Sequence, residues 1–173
     1  MKVGTDGVLL GAWCSLENFP KTILDIGTGT GIISLMLAQR SSAISIDGVE
    51  IDKSAFEQTV DNYENSDWSD RLCCHNASFQ KFADESNNQG VKYDLIVSNP
   101  PFYKEDYITS NISRNQARFT QFLTFKELIQ GVSQILSKSG FFSTIIPFKE
   151  ESTFICLAEQ HSLHLNKICA AQP

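Results

Sequence analysis

The chain has 173 residues, 42% of them hydrophobic and 20% charged, enough for one compact soluble domain with a real core. No run approaches the roughly 20 apolar residues of a membrane helix, and the first residues lack a signal-peptide pattern, so a cytoplasmic protein without membrane contact is expected. The net charge of −6 counts against a protein held to nucleic acid by charge alone, though it leaves room for a local basic patch on an acidic body.

The first predicted strand, residues 22–26, runs into Leu24-Asp25-Ile26-Gly27-Thr28-Gly29-Thr30-Gly31. Glycines at Gly27, Gly29 and Gly31 allow a tight turn and a close backbone approach to a ligand. The spacing differs from a dinucleotide fingerprint, in which a pyrophosphate rests on the helix start. Asp25 at the strand end would repel a phosphate and attract a cation. S-adenosylmethionine fits that requirement, with its sulfonium, its ammonium and no phosphate. The same glycines would also serve as a tight turn alone.

A second strand, residues 43–51, ends on Glu50, followed by Asp52. A carboxylate about 20 residues beyond the glycine loop is placed to accept both hydroxyls of a ribose. Asp52 is expected to cap the next helix, whose apolar spacing runs through Ala55, Phe56, Val60 and Tyr63. A third strand follows at 71–76, with Cys73 and Cys74 on opposite faces. Residues 84–90, Asp-Glu-Ser-Asn-Asn-Gln-Gly, read as a polar surface loop.

The five cysteines are odd in number and show no C-x-x-C pair, and His75, His161 and His164 form no ligand pattern along the chain. Reduced thiols and no metal site are expected.

The strand at 93–98 delivers Asn99-Pro100-Pro101-Phe102. Two prolines stiffen the backbone and remove two amide donors. The Asn99 side-chain oxygen and the Pro100 carbonyl are then placed to accept the two hydrogens of a planar NH2 group. That orients the amine and favours the charge developing on its nitrogen. Phe102 offers a face for a base taken out of its stack.

Residues 103–123 form a long polar stretch, of a kind usually functional beside a site. Tyr103 offers a stacking face, while Lys104, Arg114 and Arg118 offer phosphate contacts. Glu105 and Asp106 partly cancel that charge. Thr124-Phe-Lys-Glu127 reads as a capping box, opening a helix through Leu136 that stops before Gly140. Strands at 141–147 and 163–171 complete the series. Alternating strands and helices imply an α/β domain with a mostly parallel twisted sheet, helices on both faces, and a ligand at the carboxyl ends of the strands.

The run Asp25-Ile-Gly-Thr-Gly-Thr-Gly31, then Val49-Glu50, then Asn99-Pro-Pro-Phe102 resembles the class I, Rossmann-like methyltransferases that act on planar amines. Residues 1–13, Met-Lys-Val-Gly-Thr-Asp-Gly-Val-Leu-Leu-Gly-Ala-Trp, and Asn115-Gln-Ala-Arg118 are similar to bacterial tRNA1(Val) adenosine N6-methyltransferases, which modify the adenosine beside the anticodon. The resemblance implies an enzyme using S-adenosylmethionine and a tRNA substrate; a monomer is expected. It implies Thr5 and Asp6 near the methionine end of the cofactor with Asp25 and the glycine loop, and Glu50 on the ribose. It also implies Asn99, Pro100 and Phe102 on the target adenine. Asn76 stands where an acid is frequent and can still accept from the cofactor's adenine amine. Such proteins carry a basic, aromatic segment before the Met-Lys-Val-Gly stretch and a strand beyond the last residue here. One domain over 1–173, incomplete at both ends and lacking its terminal strand, is therefore expected. A protein glutamine methyltransferase, a DNA or ribosomal RNA amino-methyltransferase, and a cofactor-binding module without turnover remain alternatives.

Overall fold

The computed structural model describes residues 4–100 and 123–171. Five strands form one sheet: β1 (Thr22–Ile26), β2 (Ser45–Glu50), β3 (Leu72–Asn76), β4 (Tyr93–Ser98) and β5 (Leu136–Thr144). Their order is β3-β2-β1-β4-β5, and every pairing is parallel. Helices α1 (Thr5–Trp13), α2 (Ile32–Arg40), α3 (Lys53–Glu64), α4 (Phe79–Asn88), α5 (Phe125–Ile135) and α6 (Glu151–Gln160) flank it.

Alternation along the strands builds two cores. Leu24, Ile26, Val49 and Ile96 pack against Phe79 and Phe82 of α4 and Leu128, Ile129 and Val132 of α5. Ile23, Ile46, Leu95 and Val97 face the other way, onto Leu10 of α1 and Ile33 and Leu37 of α2. Strands covered on both faces read as continuous apolar runs, which is why sequence could place them. Each such side chain contributes about 1.5–3 kcal/mol on burial, so a one-residue slip of a central strand would expose a whole layer. The predicted caps are present: the Asp52 side chain accepts from Ala55 N, and Thr124 and Glu127 form the reciprocal box.

Four expectations are corrected. Residues 84–88 are helical, not a loop. Ser78 caps α4, and Phe79, Phe82, Ala83 and Ser86 form its buried stripe, so amphipathic spacing outweighs polar composition. The strand expected at 141–147 begins at Leu136 and ends at Thr144. Tyr93 pairs with Leu136 but Leu95 with Phe141, so the register shifts between them. Gly140 serves that irregularity rather than a helix end, since a methyl group there would stand 3.0 Å from the Asp94 carbonyl. Residues 163–171 form no strand. Their apolar side chains find no neighbouring strand, and Leu165 and Ile168 are more than half exposed.

Candidate active site

β1 and β4 are adjacent, with Ile26 beside Ser98, so the glycine loop and Asn99 emerge side by side at the carboxyl end of the sheet. Gly27, Gly29 and Gly31 all have positive φ, at 67°, 62° and 79°. An L side chain is disfavoured in that region, which explains glycine at every second position.

The loop is tied down from behind. Gly27 N and Thr28 N donate to the Val49 carbonyl, and Gly31 N donates to the Thr28 carbonyl. Gly29 N donates to one Glu50 carboxylate oxygen at 3.0 Å, and Asp52 N donates to the other at 2.9 Å. Glu50 is thereby fixed in orientation and nearly buried, with lone pairs remaining on both oxygens. The Asn76 amide nitrogen donates to the Glu50 carbonyl at 2.9 Å, which leaves its side-chain oxygen as an acceptor.

Asp25 is fully buried. Its Oδ2 accepts from the Thr28 hydroxyl at 2.7 Å, the Ser34 hydroxyl at 2.8 Å and Ser34 N at 3.2 Å. Its Oδ1 is buried and has no hydrogen-bond partner among the described residues. Burial pushes its carboxyl up to about 6, against the opposing hydrogen bonds from Thr28 and Ser34. A buried acceptor left bare is costly, and here it lies on the oxygen turned away from Thr28 and Ser34.

Asn99 is half-buried and Pro100 buried. The Ser98 hydroxyl donates to the Ile26 carbonyl at 3.1 Å, and the Thr144 hydroxyl to the Ser98 carbonyl at 2.9 Å, holding the strand end that carries Asn99. A methyl group at Gly7 would stand 3.8 Å from the Asn99 amide nitrogen, so α1 lies directly against it. Thr5 and Asp6 are exposed in the turn before Gly7. The structure thus brings Asp25, the three glycines, Glu50, Asn76 and Asn99 to one end of the sheet, with α1 alongside. Phe102, Tyr103, Lys104, Arg114 and Arg118 lie outside the described residues.

Sequence reasoning missed the residues behind the loop. The Thr59 hydroxyl donates to the Gly29 carbonyl at 2.5 Å, the Asn62 amide to the Thr30 carbonyl at 2.8 Å, and the Tyr63 hydroxyl lies 3.2 Å from Thr28 Oγ1. Burial, then the Asp25 charge, raises the Tyr63 phenol well above its ordinary range, so it remains protonated and can donate. The available signal was a polar set at 59, 62 and 63 on one face of an otherwise amphipathic helix.

Residues 8–146 match the methyltransferase small domain family. A protein from Christiangramia forsetii named tRNA1(Val) (adenine(37)-N6)-methyltransferase is 58% identical, over 97% of this chain and 70% of its own length. A relative of the same name from Flavobacterium psychrophilum is 54% identical over the same shares. Among solved structures, a SAM-dependent methyltransferase from Agrobacterium tumefaciens superposes with a TM-score of 0.66 at 16% identity, over 92% of this chain and 51% of that one. SMU.776, a methyltransferase complexed with SAH, gives 0.61 at 17%, over 90% and 40%. At those identities the solved structures speak to the fold alone.

Proposed function

Since the chain belongs to the methyltransferase small domain family, we propose that it transfers a methyl group from S-adenosylmethionine to the N6 amine of adenosine 37 in a tRNA. Relatives named for that reaction, at 52–58% identity over most of the chain, support the substrate. The observation that carries the chemistry is the bare, buried Asp25 Oδ1 beside the glycine loop, one strand away from Asn99.

The residues present fit the cofactor. Loop amides 27, 28, 29 and 31 are bonded within the protein, so the loop does not offer the row of free donors that a phosphate cradle needs. An unpartnered carboxylate oxygen instead calls for a cationic donor such as an amino-acid ammonium. Asp25, with Thr5 and Asp6, would hold the methionine end. Glu50 would accept from the ribose hydroxyls, and the Asn76 side-chain oxygen from the adenine amine. When bound, S-adenosylmethionine supplies an electrophilic methyl group.

The chain's own part is to present the amine. An exocyclic amine is a poor nucleophile because its lone pair is delocalised into the ring. Asn99 and the Pro100 carbonyl accept its two hydrogens and turn that lone pair out of conjugation, a positioning and electrostatic effect. The departing proton becomes acidic only once nitrogen carries its new substituent, so solvent can take it. Phe102 stacks the adenine, and Tyr103, Arg114 and Arg118 contact the RNA. No described helix is long and apolar enough to cross a membrane; the enzyme works in the cytoplasm, as a monomer.

The test incubates the protein with labelled cofactor and, separately, unmodified total tRNA, total DNA and peptide release factors. Label in tRNA as N6-methyladenosine is expected. Label only in DNA or protein would overturn the reading.

A further inference from the structure

Asp47 on β2 and Cys73 and His75 on β3 share the face of the sheet covered by α4. Asp47 pairs with Cys73 in register, and His75 follows two residues on, the spacing that keeps side chains on one face. An Asp47 carboxylate oxygen, Cys73 Sγ and His75 Nε2 all lie within 4.8 Å of one another. Spacing along the chain could not reveal this set, because one member comes from the neighbouring strand.

The three side chains are of the kinds that make up a donor set. His75 Nε2 stands 3.3 Å from Asp47 Oδ1, longer than the roughly 2.7–2.9 Å of a charge-assisted hydrogen bond. It matches the ~3.3 Å separation of nitrogen and oxygen ligands sharing a tetrahedral ion at bond lengths near 2.0–2.1 Å. The other carboxylate oxygen, Asp47 Oδ2, accepts from the Tyr93 hydroxyl at 2.9 Å. That bond fixes the carboxylate, as outer partners do for metal ligands. The His75 ring packs against Phe82 of α4 at 5.1 Å between centroids. Cys73 is exposed, so water can reach a fourth position. A carboxylate and a thiolate balance a dication, and imidazole with thiolate selects a zinc-class ion over magnesium or calcium.

We propose that Asp47, Cys73 and His75 bind one zinc-class divalent ion at the β2–β3 edge. The Cys73 thiol gives its proton to solvent on binding, and water fills the fourth position. Asp47 lies three residues before Glu50, and His75 lies immediately before Asn76. The ion therefore clamps the edge strand β3 to β2 just beneath the two acceptors of the candidate active site, and does so whatever the enzyme's substrate.

Cobalt(II) added to the metal-stripped chain tests this. One equivalent is expected to give thiolate-to-cobalt charge transfer with tetrahedral d–d bands. Zinc should abolish these, and excess magnesium or calcium should not. Cys73→Ser should lose the charge-transfer band while Cys156→Ser/Cys169→Ser retains it. Tyr93→Phe should weaken binding by about 10–100-fold, the scale of a lost outer partner. Zinc should also raise the thermal midpoint of the wild type but not of His75→Gln, which carries the test should Cys73→Ser fail to fold. No charge-transfer band in the wild type, a band surviving in Cys73→Ser, or equal zinc stabilisation of His75→Gln would overturn the proposal.

Discussion

Asp25→Asn keeps the shape of the buried carboxyl and removes its charge. In the wild type the carboxyl titrates at about 6 rather than 3.8, chiefly through burial. Two units correspond to about 3 kcal/mol. The folded-state value is raised, so Asp25's contribution to stability is fully present below the unfolded value and is lost as pH rises through about 6. Above that range the ligand-free protein carries the full penalty. In the variant, the amide oxygen takes the place of Oδ2, which has three donors. The amide nitrogen takes the place of the bare Oδ1, where an unmatched donor costs about 1–3 kcal/mol. The ligand-free variant is therefore expected to be as stable as the wild type at neutral pH, or up to about 2 kcal/mol more so, with the wild-type decline between about pH 4 and 7 flattened. Cofactor affinity should move the other way. Losing a hydrogen bond to a charged group is worth about 1.5–3 kcal/mol, or roughly 10- to 150-fold. Denaturant unfolding across that pH range, with calorimetric titration of S-adenosylmethionine, reads both. A variant with the wild-type pH slope would refute the raised Asp25 carboxyl, and one with unchanged cofactor affinity would refute the assignment of Oδ1 to a cationic ligand.

Glu50→Ala should weaken cofactor binding by about 1–3 kcal/mol, read by calorimetry; unchanged affinity would remove Glu50 from the ribose. Asn99→Ala should leave cofactor binding intact and lower single-turnover methylation of tRNA by at least about a hundredfold, the scale of one lost preorganised contact. Asn99→Asp, which still accepts, should lose less. Replacing Arg114 or Arg118 with Ala should weaken RNA binding and lower its salt dependence, with cofactor affinity held. Gly31→Ala should destabilise the fold by at least about 1–3 kcal/mol, measured by denaturant unfolding, because φ is +79° and the new methyl would lie 2.5 Å from Tyr63 Cε1.

Much of the site was legible because it sits where strands end. β1 and β4 match their expected bounds residue for residue, and buried runs flanked by Gly or Pro are hard to misplace. The glycines were legible as turn formers, and their positive φ supplies the reason. What failed was reasoning from composition. The polar run after Phe82 concealed a helical stripe with Ser86 inside it. The apolar run 163–171 suggested a strand, but composition cannot supply a strand to pair with. Gly140 resembled a helix terminus because sequence does not reveal that β5 starts directly after α5. The Asp47, Cys73 and His75 cluster depends on register between strands, which one-dimensional spacing cannot encode.

The least legible feature is the back of the glycine loop. Thr59, Asn62 and Tyr63 look from sequence like part of a half-exposed helix, yet all three bind the loop. Gly31 and Gly48 make room for the Tyr63 ring and hydroxyl, since a methyl at either would stand 2.5 or 2.8 Å away. The Thr28 and Ser34 hydroxyls are directed onto Asp25 Oδ2, so the Tyr63 hydroxyl is left to donate to Thr28. Every hydroxyl proton in the cluster then has an acceptor, and the acceptor left over is Asp25 Oδ1. A network in which every hydroxyl proton is matched holds its members in place, so the position of the one bare acceptor is fixed with them. Ordering is done during folding rather than on binding, so little of the ligand's interaction energy goes into arranging the loop. Side chains at 59, 62 and 63 therefore bear on Asp25 without touching it, by holding the loop in the arrangement that leaves Oδ1 without a donor.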